Sequence, residues 1–259
     1  MHAHFVLAHP EPQSFNGRLV RAGKAALEAE GWTVSVSDLY AMSFDPCERS
    51  EHYADRASPA RFDAQVEQRH ASESGALPKA VADELTLMDR ADVLVLQYPM
   101  WWHLPPAMLK GWFDRVLAYG AVYTSRKRFE TGRFAGKRAM LSVTVGTSRA
   151  TYEHDGRSGD IDLLLWPVNF TLAYVGYAVL APFVAYGVEA GLRYSDAAAI
   201  DDRLRAIVAD FRAAVPRLAE REIIPFNRME EWGPDGRIVP EAPVHSPFIR
   251  RKPRLALER

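Results

Sequence analysis

Three short segments hold the residues whose types and spacing can do chemistry. The first is His9-Pro10-Glu11-Pro12-Gln13-Ser14-Phe15-Asn16-Gly17, which leads from an apolar run straight into a helix-like pattern. Free backbone N–H groups and the dipole at a helix start favour an anion. His9 and the Ser14 hydroxyl can add hydrogen bonds to a phosphate, although Ser14 and Asn16 serve equally well as plain helix caps. Neither GxGxxG nor GxxxxGK[ST] occurs here, so the common nicotinamide and nucleoside-triphosphate readings lose support. The second segment runs Gln97-Tyr98-Pro99-Met100-Trp101-Trp102-His103-Leu104-Pro105-Pro106. Its prolines stiffen it, and a rigid aromatic wall suits a planar heteroaromatic ring such as an isoalloxazine. One of the two indoles, not both, is expected to pack inward as core. The third segment is Thr144-Val145-Gly146-Thr147-Ser148, followed by Tyr152 and His154. Small and hydroxyl residues let a backbone approach a ring edge, and a tyrosine hydroxyl can donate to developing negative charge.

The elements that position these segments can be read from periodicity. Ala3–Ala8 is apolar without alternation, as in a strand buried on both faces. Leu19, Val20, Ala22, Ala26 and Leu27 give 14–30 helical spacing, with Gly31 at its end. Trp32–Ser37 alternates as a strand, so 3–37 reads as strand, helix, parallel strand with a right-handed crossover. The stretch 39–77 is irregular apart from a polar helical part near 59–71. Beyond it, helices are predicted at 78–90, 106–117, 163–174 (started or kinked at Pro167) and 196–220. Strands are predicted at 93–96, 140–145 and 177–185, the last interrupted at Pro182. The alternation defines an α/β doubly wound fold with about five parallel strands. In a sheet of order 2-1-3-4-5 the crevice at the carboxyl ends of strands 1 and 3 is the ligand site, and the three segments above fall there. The domain so defined spans 1–221. Residues 222–259, with six prolines and the basic cluster Arg250, Arg251, Lys252 and Arg254, read as an extended tail.

Composition narrows the function classes. In 259 residues, 32 Lys+Arg against 33 Asp+Glu leave a formal net charge of -1, unlike a nucleic-acid binder that neutralises phosphates. No apolar run reaches the ~20 residues that cross a bilayer. The N-terminal run lacks the marks of a signal peptide. The single cysteine, Cys47, excludes an internal disulfide and a multi-cysteine zinc site, and a reducing cytoplasm is the simplest setting.

With these residues in hand, the chain resembles the flavodoxin-like NAD(P)H:quinone oxidoreductases, the DT-diaphorase family and its bacterial relatives, over roughly residues 3–220. Five segments carry the resemblance: AHPEPQSFNG at 8–17, VSDLYAMSFDP at 36–46, QYPMWWHLPPAMLKGWFDRV at 97–116, LSVTVG at 141–146 and LWPVNFTLAYVGYAVLAP at 165–182. The resemblance implies a flavodoxin-like five-stranded sheet and a two-electron, ping-pong flavoenzyme. It further implies a homodimer with sites at the subunit interface, using NAD(P)H as reductant and reducing a small aromatic acceptor. It implies FAD in preference to FMN, because the His9 and Ser14–Asn16 loop is the one that holds the pyrophosphate in FAD-binding members. By position, His9, Ser14, Phe15 and Asn16 would hold phosphates and ribose. Pro99, Met100, Trp101, Trp102 and His103 would line the isoalloxazine, and Thr144, Val145, Gly146 and Thr147 would meet its pyrimidine edge. Asp63 stands where the family has a Gln that reaches the neighbour's adenosine, and Tyr123 where an aromatic borders the substrate pocket. Tyr152 keeps the first of the family's Tyr/His pair, but Ser158 replaces the second, His103 replaces a Phe, and a TTGG run is thinned. His154 or His103 are the groups that can substitute for the missing His. No metal site is expected. Reduction of azo, nitro or specialised aromatic acceptors is the alternative within the enzyme class, and a flavodoxin-like electron carrier is the alternative outside it.

Overall fold

A computed structural model describes residues 1–189 and 196–251; Lys252 and Arg254 of the basic cluster lie outside the described residues. The elements in chain order are β1 (His2–Leu7), α1 (Phe15–Ala29), β2 (Thr33–Asp38), α2 (Ala64–Glu73), α3 (Lys79–Arg90), β3 (Val93–Pro99), α4 (Ala107–Val116), β4 (Arg138–Thr144), α5 (Ile161–Tyr174), β5 (Ala178–Ala185) and α6 (Ala197–Ala214). The five strands form one parallel sheet in the order β2-β1-β3-β4-β5. Every residue of β3 is buried, as a central strand covered on both faces requires.

One face of the sheet presents Phe5, Leu7, Val95, Met140 and Leu180 to α1, α6 and the residue just after α6, where Leu19, Leu27, Phe211 and Val215 complete the core. The alternate face meets α3 and α4 and carries a buried polar network. Glu84 accepts hydrogen bonds from Ser37 at 2.6 Å and from the Trp112 indole at 2.8 Å, with His4 Nε2 3.9 Å away.

Residues 39–63 are held by specific polar pins rather than by regular structure. Arg115 donates to the Asp45 carbonyl at 2.6 Å and lies over the Phe44 ring at 5.2 Å. Gly111 of α4 is a glycine because a Cβ there would sit 2.1 Å from the Pro46 carbonyl oxygen. α5 runs through Pro167 rather than starting at it. Pro182 falls at the irregularity in β5, where the pairing with β4 shifts between Met140 and Ser142. Beyond α6 a tighter helical segment, Val215–Glu220, leads to a short antiparallel contact with β5. There Ala181 N–H donates to Glu222 O, and Ile224 N–H to Val179 O, each at 2.8 Å.

The chain accordingly divides into two compact units, Met1–Ile224 and Pro225–Arg259. Residues 222–224, just past the composition break at 221/222, still pair with β5. The second unit is more than an extended strand. Its buried Asn227 donates to Glu231 at 2.9 Å and to the Pro243 carbonyl at 2.7 Å, and Trp232 bridges to Ile238.

Candidate active site

The three segments meet at the carboxyl ends of β1, β3 and β4, where the strand order reverses. Backbone hydrogen bonds join them: Ala8 N–H to Gln97 O at 3.0 Å, and Met100 N–H to Thr144 O at 2.9 Å. Beneath them lies a chain of buried amides. Gln97 donates to Asn16 Oδ1 at 2.8 Å, and Asn16 donates to Thr144 Oγ1 at 3.0 Å. Gln97 is 0% exposed and Asn16 3%. Asn16 therefore spends its side chain on tying the three loops together, a use that its sequence position alone does not reveal. Gln97 is visible in the sequence as the one polar residue in Val93–Pro99, a signal that reading it only as the start of a loop overlooks.

In the first loop Ser14 caps α1, its Oγ accepting the Gly17 N–H at 3.1 Å. Among the described residues, the N–H groups of Phe15 and Asn16 have no acceptor, which leaves donors at the helix start. Phe15 itself packs partly into the core. His9 Nδ1 accepts the Glu11 N–H at 3.0 Å, so a neutral His9 carries its proton on Nε2. Burial holds the His9 imidazole below its ordinary value, against the opposing pull of Glu11 and Asp38.

The second loop is a two-residue hairpin. Trp101 and Leu104 exchange both backbone hydrogen bonds at 3.0 Å, and Trp102 (φ 53°) and His103 (φ 62°) fill the turn in the left-handed region. This is the pattern of a type I′ turn, normally built from Asn and Gly. Neither indole enters the core: Trp101 is 43% exposed and Trp102 93%. The expectation that one packs inward fails because the turn lifts both off β3. Trp101 instead stands edge-on to His9, with ring centroids 5.9 Å apart. Pro99 is buried in β3, and Met100 is half-buried.

In the third loop Thr144 and Val145 are buried, and Gly146 and Thr147 are exposed. Among the described residues the N–H groups of Gly146, Thr147 and Ser148 have no acceptor. Thr147 Oγ1 contacts Thr151 Oγ1 at 2.6 Å, which fixes the loop to the turn carrying Tyr152. Tyr152 is half-buried against Tyr186, centroids 6.0 Å apart. Burial raises the Tyr186 phenol above its ordinary value. Tyr186 lies 34 positions from Tyr152, and no sequence signal joins the two. Both tyrosines and the exposed His154 line a pocket of about 400 Å³ with Asp160 and Asp162. Asp162 is raised by burial first and by Asp160 and Glu153 next. Ser158 donates its backbone N–H to Thr151 O at 2.8 Å, which closes the turn over which Tyr152 sits.

Two predicted residues lie on other elements. Asp63 caps α2, its carboxylate accepting the Val66 N–H at 3.3 Å. Tyr123 packs edge-on against Tyr119 and Tyr174 at 5.4 and 5.6 Å and lines a cavity of about 760 Å³ between α2, α4 and α5.

A five-stranded parallel sheet of this order, with its cleft at the reversal of strand order, makes this a flavodoxin-like α/β protein. The sequence pattern of the family described as flavodoxin-like fold matches residues 1–210. The chain is 39% identical over 185 residues to NAD(P)H dehydrogenase (quinone) 1 of Cavia porcellus, covering 71% of this chain and 67% of that one. It is 35% identical over 230 residues to ribosyldihydronicotinamide dehydrogenase (quinone) of Homo sapiens, covering 88% and 96%. A solved Klebsiella pneumoniae protein described as a candidate quinone reductase superposes with a TM-score of 0.82 at 32% identity, over 93% of this chain and 95% of that one. The chain belongs to the flavodoxin-like NAD(P)H:quinone oxidoreductase family.

Proposed function

We propose that this protein is an FAD-dependent oxidoreductase that passes two electrons from NAD(P)H to a quinone or similar small aromatic acceptor, working as a homodimer in the cytoplasm. The observation that carries this reading is the cleft itself. Two sets of unpaired N–H groups and a rigid, exposed indole hairpin are locked in one frame by Gln97, Asn16 and Thr144. These residues fit a dinucleotide flavin. The Phe15 and Asn16 N–H groups, with the His9 Nε2–H, offer donors to a pyrophosphate at the start of α1. Trp101, Trp102 and His103 offer exposed aromatic faces, and the Gly146–Ser148 N–H groups offer donors to ring carbonyls.

A bound flavin supplies hydride acceptance and donation, the part of the chemistry that side chains cannot perform. The protein's share is positioning and electrostatics. The N–H groups of the third loop are held in place before any charge develops, so they need no reorganisation to stabilise it. The Tyr152 hydroxyl, which has no partner among the described residues, is free to donate alongside them. Trp101 and Trp102 stay exposed at the cleft, available to cover a planar ring.

The test is the visible spectrum of the purified protein, followed by chromatography of the heat-released chromophore. FAD is expected, with menadione reduced faster than azo dyes or nitroaromatics. FMN in its place would overturn the choice of dinucleotide, and a protein that stays colourless with both flavins would overturn the whole reading. Sedimentation at micromolar concentration is expected to give twice the chain mass.

A further inference from the structure

The sequence Arg126-Lys127-Arg128 places three cations in a row, and nothing in the site described above uses them. Thr124 folds the segment into a tight turn. Its Oγ1 accepts the N–H groups of Arg126 at 3.2 Å and Lys127 at 3.0 Å, and its own N–H donates to Lys127 O at 3.1 Å. Cations on neighbouring elements are compensated: Arg69 by Glu73, Lys110 by Asp114 and Arg133 by Asp89. Arg126 and Lys127 are exposed, and among the described residues neither has a carboxylate within ion-pair distance. Adjacent like charges repel, so a pair left bare in a chain of net charge -1 is poised for an external anion.

The surroundings say which kind. Arg128 lies over the Tyr174 ring at 5.8 Å and donates to its hydroxyl at 3.3 Å, which anchors the turn to an aromatic cluster. Tyr123, immediately before Thr124, stacks edge-on with Tyr174, and both line the cavity of about 760 Å³. The same cavity wall includes Leu104 and Pro105, the residues directly after the Trp102–His103 turn. One space thus reaches Leu104 of the indole hairpin, presents aromatic faces to planar rings, and is lined by Tyr123, the residue that leads into the turn carrying Arg126 and Lys127.

Resting on the oxidoreductase reading above, we propose that Arg126 and Lys127 bind the 2′-phosphate of NADPH and make the enzyme selective for NADPH over NADH. The two dinucleotides differ only in that phosphate monoester, which is largely dianionic at neutral pH. An arginine fork and a lysine point charge together match it. The pyrophosphate, by contrast, is common to both dinucleotides and cannot discriminate between them.

The test uses the holoenzyme with saturating menadione. Wild-type kcat/KM is expected to favour NADPH by about tenfold, a preference typical of one well-placed phosphate contact. R126Q/K127Q is expected to raise the NADPH KM until the two cofactors differ by about twofold or less, with the NADH constants unchanged. Added salt should erode the wild-type preference in the same way, because the cations are exposed. Calorimetric titration with adenosine 2′,5′-bisphosphate and with adenosine 5′-monophosphate reads the contact without turnover. The bisphosphate should bind more tightly to the wild type, and the gap should close in the variant. Equal affinity of the wild type for both nucleotides overturns the proposal, as does a variant that loses NADH and NADPH activity alike. Preferential binding of the bisphosphate to a protein that reduces no quinone would uphold this assignment and strike the oxidoreductase reading alone.

Discussion

A carboxylate that is 1% exposed, held between a sheet and two helices, survives only because its neighbours donate to it. Burial pushes the Glu84 carboxyl up, but His4 3.9 Å away and the hydrogen bonds from Ser37 and Trp112 outweigh it and hold the group below its ordinary value. Because the folded pKa is depressed, the stability it contributes is present above the ordinary glutamate range and is lost as pH falls through the folded value. Urea titrations of the wild type and Glu84→Leu should therefore show a gap that narrows in acid and widens toward neutrality. The gap at neutral pH should be about 1–3 kcal/mol, since the substitution strands the Trp112 and Ser37 donors. Glu84 and Trp112 fall in the helices predicted at 78–90 and 106–117, but a pairing across 28 residues leaves no local trace. Asn16 poses the opposite problem: its place in the sequence suggests a ligand contact, while its side chain faces inward to Gln97 and Thr144. Asn16→Ala should cost about 1–3 kcal/mol by leaving the Gln97 amide unpaired. It should also weaken flavin retention on dialysis, because the three loops lose their common tie. Full flavin occupancy in a destabilised Asn16→Ala protein would separate the two roles and refute the second.

At the scale of elements, strands and helices are legible because their periodicities are strong and helix starts are marked by Ser14 and Pro78. The indole hairpin is not, because Trp102 and His103 replace the Asn and Gly that such a turn normally takes. Left-handed backbone in such residues costs on the order of 1 kcal/mol each and persists where function holds it. Replacing Trp102-His103 by Asn-Gly should relieve that cost, and the thermal midpoint should rise by a few degrees, consistent with about 1–2 kcal/mol in a chain of this size. The same change removes the exposed aromatic wall, so the Kd for flavin should rise and quinone reduction should fall. A variant that gains stability and keeps its flavin affinity would show that the strained turn is not there for the cofactor.

For the whole molecule, the question is where the flavodoxin-like unit ends. The rise in proline content suggests 221, but three more residues close the exposed edge of β5. Arg221 adds to that closure by donating to the Ala181 and Pro182 carbonyls at the strand's irregularity. An open β edge presents unpaired N–H and C=O groups to other chains. Truncation after Ile224 should therefore leave a soluble protein with one cooperative urea transition and a flavin spectrum, since every loop of the candidate site lies within Met1–Ile224. Truncation after Arg221 removes the Ala181–Glu222 and Ile224–Val179 bonds. At about 0.5–1.5 kcal/mol for each bond, the transition midpoint should fall measurably, and light scattering should reveal association through β5. Equal stability and equal monodispersity of the two truncations would mean that residues 222–224 only lie against the sheet. Loss of flavin from the longer truncation would place part of the site beyond Ile224.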